Sequence, residues 1–72
     1  MNKLYELLRQ TEGKTADTNS RVLLAAGTVG ELVREEVVMR RLRVLHLRFE
    51  GLGETVAVPA AAARLIGGGG GD

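Results

Sequence analysis

The chain has no cysteine and no tryptophan, one histidine (His46), one serine (Ser20), and two aspartates, Asp17 and Asp72. Without cysteine it can form no disulfide and offers no thiolate nucleophile. A closed metal site needs about four convergent ligands, and a single histidine with scattered carboxylates does not supply them. Nucleophilic and general acid–base catalysis draw on the same scarce residue types. The expectation is therefore a protein that is not an enzyme and carries no metal or cofactor.

No apolar run approaches the ~20 residues that span a bilayer as a helix. The opening segment, Met1 to Arg9, is charged too early and too often for a secretory signal. A cytoplasmic protein, or one incorporated in a particle assembled there, is expected, with no membrane partner.

What is present is a 72-residue chain with 44 % hydrophobic and 26 % charged residues. That length makes one domain, read as residues 1–66, followed by a glycine-rich tail, 67–72. A chain this short buries only about 60–65 % of the surface it exposes when unfolded. Small scaffolds make up the shortfall with disulfides, metals or association. With the first two removed by composition, association with itself or with a larger assembly is the remaining route.

The formal charge is +1, but its distribution is uneven. Glu31 to Glu36 holds three glutamates against Arg34, and Arg40 to Arg48 holds four arginines, His46 and no acid. Such a stripe can contact phosphate even when the whole molecule is near neutral.

Residues 2–12 have helical spacing. Leu4, Leu7 and Leu8 fall on one face with Tyr5 beside them, and Gly13 stands where a helix cap is expected. Lys14 to Ser20 is a polar loop. Arg21 to Ala26 is a short apolar run closed by Gly27, preferred as a buried strand over a helical turn capped by Asn19 or Ser20. Thr28-Val29-Gly30-Glu31 has the spacing of a capping box and predicts a helix through about Arg41. A strand across Glu36–Met39 competes with it, because valine is a poor helix former. Leu45, Leu47 and Phe49 alternate with Val44, His46 and Arg48, and a glycine-rich turn leads to Thr55-Val56-Ala57-Val58, so a hairpin is expected. Pro59 suits the first turn of a short helix through Leu65.

The predicted fold is α+β: a small mixed three-stranded sheet, with one parallel crossover plus a β-hairpin, and short helices packed on one face. Its open edge invites strand addition.

His46 lacks a paired acid at a telling distance in sequence. Glu35 and Glu36, being adjacent, form no carboxylate dyad on a helix. Gly27-Thr28-Val29-Gly30 lacks the further glycine or the lysine of a phosphate-binding loop and reads as a turn. Two functions follow. The first is a non-enzymatic structural or assembly protein, working in a homo-oligomer or multi-subunit particle such as a virion. Its docking residues would be Leu4, Leu7 and Leu8, with Arg40, Arg41, Arg43 and Arg48 as rim charge. The alternative is a small dimeric nucleic-acid-binding regulator using the Arg40–Arg48 stripe.

Overall fold

The computed structural model describes residues 2–68, and among them there is no α-helix. Seven strands are present: β1 Leu4–Leu7, β2 Thr11–Thr15, β3 Arg21–Leu24, β4 Val29–Val38, β5 Leu42–Phe49, β6 Thr55–Pro59 and β7 Ala63–Gly67. They form one sheet in the order β3-β2-β6-β5-β4-β1-β7, with every neighbouring pair antiparallel. The sheet curls into a half-barrel. The expected α+β fold is thereby overturned, together with its three-stranded mixed sheet, its parallel crossover and its packed helices.

Alternation explains the result. Tyr5 and Leu7, then Thr11, Gly13 and Thr15, then Leu45, Leu47 and Phe49, then Val56 and Val58 are buried at two-residue intervals, with Leu24 and Ala62 closing the core. In the first segment this places Tyr5 and Leu7 inside and leaves Leu4 and Leu8 outside, so the three leucines at helical spacing do not form one docking face. Residues 29–38 carry four valines, whose branched side chains suit a pleated surface. The alternating β5 beside them supplies a template over eight residue pairs, from Gly30↔Phe49 to Val38↔Leu42. The run at 21–26 supplies a strand, but only over Arg21–Leu24 and at the sheet edge with Leu23 exposed, not the buried strand expected. However, β3 meets β4 through a tight turn rather than a helix, and its ladder partner is β2. After Pro59 a single 3-10 turn, Ala60–Ala62, replaces the expected helix. A helix of six residues barely exceeds its own nucleus, and Leu65 and Ile66 instead extend along β1 as part of β7. Gly67, expected to begin the glycine tail, instead ends that strand, Gly68 follows it in left-handed backbone, and 69–72 lie outside the described residues.

Two glycines are fixed by packing. A Cβ on Gly30 would come within 2.7 Å of the Phe49 ring, and one on Gly13 would overlap the Val56 side chain. Both stand inside strands, so neither acts as the helix cap or capping-box residue that the spacing suggested. Of the expected Lys14–Ser20 loop, Lys14 and Thr15 belong to β2 and only 16–20 form a loop, which closes on a buried hydroxyl. Thr15 Oγ1 lies 2.7 Å from Thr18 Oγ1 and accepts from the Ser20 amide at 3.0 Å.

β4 is the long element, and a register shift between Leu32 and Arg34 bends it. Its first half pairs with both β1 and β5. Beyond the bend it pairs with β5 alone, so the end of the β4–β5 hairpin has one free side among the described residues.

Candidate functional site

The β4–β5 hairpin brings together the two charged segments that stood apart in sequence. Running antiparallel, it sets the glutamates of 31–36 beside the bases of 43–48. Arg48 Nη1 lies 3.8 Å from Glu31 Oε1, and Arg43 Nε donates to Glu35 Oε2. His46 Nε2 sits 2.9 Å from Glu36 Oε1, and Arg34 Nη2 approaches the same oxygen at 3.9 Å. The hydrogen bond from Arg43 holds the Glu35 carboxyl below its ordinary value, and Glu35 in turn raises the Arg43 guanidinium. The hydrogen bond to His46, with the charge of Arg34, likewise lowers Glu36.

The arginine stripe is thus divided. Arg43 and Arg48 are occupied by carboxylates on opposite faces of the ladder. Arg40 and Arg41 stand at the hairpin tip, where neither has a carboxylate within 4.0 Å among the described residues. The tip is unusual. Met39 and Arg40 have φ of 55° and 66°, and the Arg41 amide donates to Val38 O at 3.2 Å, the pattern of a type I′ turn. That turn is normally built from Asn-Gly, because left-handed backbone costs other residues about 1–2 kcal/mol each. Met39 is 85 % exposed there, and Val37 and Leu42 beside it are exposed as well. Of the three leucines expected to dock, Leu7 is buried in the core, while Leu4 and Leu8 reach the surface.

His46 occupies a place its sequence neighbours could not show. On the outer face, Arg21, Lys14, Ala57, His46 and Arg34 are directly opposed partners on five successive strands, β3, β2, β6, β5 and β4. With strands about 4.8 Å apart, this row runs roughly 19 Å. Ala57 has no bulk, and the dip over it, lined by Lys14, Asn19, Arg34, His46 and Thr55, has a volume of about 350 Å³. Lys14 and Arg21 have no carboxylate partner among the described residues.

Glu36 is the acid that sequence spacing failed to pair with His46. The only signal was the alternation of β5, which needed the register of β4 to become informative. No activated nucleophile joins the pair, and the Thr15 hydroxyl nearby is engaged by Thr18 and Ser20. Among the described residues no three of His, Asp and Glu converge as metal ligands. Of the Gly27–Gly30 segment, expected as a strand-to-helix turn, Gly27 lies in a turn while Val29 and Gly30 already belong to β4. The Gly27 amide donates to Leu7 O at 2.8 Å and the Thr28 amide to Ala25 O at 3.2 Å, so neither faces an anion. No helix among the described residues is long and apolar enough to cross a membrane.

The comparisons add no relative: no family model, no curated protein and no solved structure matches this chain.

Proposed function

We propose that this chain is a non-enzymatic assembly module. It works in the cytoplasm, or in a particle assembled there, by joining copies of itself or further subunits. The observation that carries this reading is the β4–β5 tip. A hairpin turn held in left-handed backbone by Met39 and Arg40 sacrifices stability that Asn-Gly would restore, and it keeps a flexible apolar side chain almost fully in solvent. Strain of this kind clusters at working surfaces, and methionine adapts well to a partner's contours. Arg40 and Arg41 supply a charged rim around it.

The test is sedimentation velocity across a wide concentration range, on the natural chain and on Met39→Asn/Arg40→Gly. The natural chain should sediment as more than a monomer, and the variant should melt higher yet fall to a smaller species. A natural chain that stays monomeric throughout, or a variant that assembles equally well, overturns the reading.

A second reading, a small nucleic-acid-binding regulator, is favoured by one observation: Arg21 and Lys14, directly opposed on the outer face, have no carboxylate partner among the described residues. It moves the contact away from the Arg40–Arg48 stripe, of which only Arg40 and Arg41 are without ion pairs among the described residues. Binding of this type weakens with salt at a logarithmic slope of about 0.9 per phosphate contacted on duplex DNA. Affinity that falls steeply between two salt concentrations and is lost in Lys14→Glu/Arg21→Glu supports it. Salt-independent or undiminished binding rejects it.

A further inference from the structure

β7 ends the sheet, and on the side away from β1 it has no neighbour among the described residues. The half-barrel is also least closed here. Leu65 lies opposite the buried Tyr5, on the core side of the sheet, yet it is 53 % exposed. At the opposite edge, the core-facing Leu24 of β3 is only 7 % exposed and Val22 is half-buried.

Resting on the assembly reading above, we propose that β7 pairs antiparallel with β7 of a second copy, about a two-fold axis midway between the two Leu65 residues. An axis perpendicular to the sheet keeps both core faces on the same side. Directly opposed residues must then share a face, so the register has to centre on a residue. Centred on Leu65, it sets Leu65 against Leu65, Arg64 against Ile66 and Ala63 against Gly67. No like charges are opposed. Arg64 is already held by Glu6, with Nη2 3.1 Å from Oε1. β7 contains no proline, so each of its amides can enter a ladder.

The other free edges fit a second copy less well. The outer half of β4 carries Arg34, Glu35 and Glu36, the kind of charged edge that resists strand addition. β3 has its core face already covered, so pairing there closes less of the interior. The two Leu65 side chains instead meet over an open part of the core and cover each other. A five-residue strand is a small interface, below the ~1,200 Å² of standard complexes, so the dimer should form at high protein concentration and dissociate on dilution.

The absence of native cysteine makes the register directly testable. Directly opposed residues of an antiparallel pair have Cα atoms about 4.5–5.5 Å apart, inside the span a disulfide bridges. Under mild oxidation Leu65→Cys should convert almost completely to a covalent dimer, whereas Ile66→Cys and Leu23→Cys should remain monomeric. As a second arm, Leu65→Lys and Leu65→Glu should each lose the dimer while keeping a sheet circular-dichroism spectrum, and mixing the two should restore it. If the natural chain self-associates but Leu65→Cys does not cross-link, or Leu23→Cys cross-links in its place, the β7 pairing is wrong and the assembly reading stands. A natural chain that is monomeric at all concentrations removes both. A monomer whose β7 amides resist hydrogen exchange would show the edge already covered by its own chain, which also overturns the pairing.

Discussion

At the scale of single residues, the fold depends on two places where a side chain is missing. Gly30 gives its space to the Phe49 ring and Gly13 to Val56. Gly30→Ala should therefore destabilise by about 1–3 kcal/mol through overpacking, read as a lower midpoint in urea with an unchanged slope. Charge at the residue scale behaves differently, because Glu35 and Glu36 are solvent-exposed and modest in effect. Their folded-state affinity for protons is depressed by Arg43 and by His46 with Arg34. A carboxylate so depressed contributes stability above its unfolded value and loses it as pH falls through its folded one. The stability advantage of the natural chain over Glu35→Gln/Glu36→Gln should hold at neutral pH and vanish below the ordinary glutamate range of about 4.3. A pH series of urea titrations on both proteins checks this, and an advantage that persists in acid contradicts it.

At the scale of elements, the β4–β5 turn is the clearest case of local preference being overruled. Replacing Met39-Arg40 with Asn-Gly should raise stability by about 1–2 kcal/mol per relieved residue, seen as a higher melting temperature. The hairpin of β5 and β6 was legible in sequence, since Leu45, Leu47 and Phe49 alternate and glycines mark the turn. β4 was not. Val29, Leu32, Val33 and Val37 fit a helical face as well as a bulged strand, and only pairing with β5 decides between them. β1 hid its two-residue repeat, Tyr5 and Leu7, among leucines that mimic a helical stripe. The four alanines before Arg64 raise helix propensity but bring no bulk to anchor a helix. Far-UV circular dichroism should consequently show sheet without a helical component, and a helical spectrum would contradict the fold.

At the scale of the whole molecule, strands distant in sequence are joined: β1 with β7 and β2 with β6. Such non-local pairing places folding in the millisecond-to-second range, which stopped-flow refolding can measure. The candidate site was legible only as ingredients. An acidic segment, a basic segment and a lone histidine were visible, but the register that couples Glu31, Glu35 and Glu36 to Arg48, Arg43 and His46 depended on a strand whose pattern also fitted a helix. That coupling has a reach beyond the hairpin. Opposite signs interleaved a few ångströms apart project a field that fades within about one screening length of ~8–10 Å. Seen from afar, the paired flanks of the hairpin cancel, and the charge left to guide an approaching body is that of Arg40 and Arg41 at its tip. Encounters with those flanks should proceed at the unassisted 10⁵–10⁷ M⁻¹s⁻¹ of ordinary docking, and selectivity there must be decided at contact.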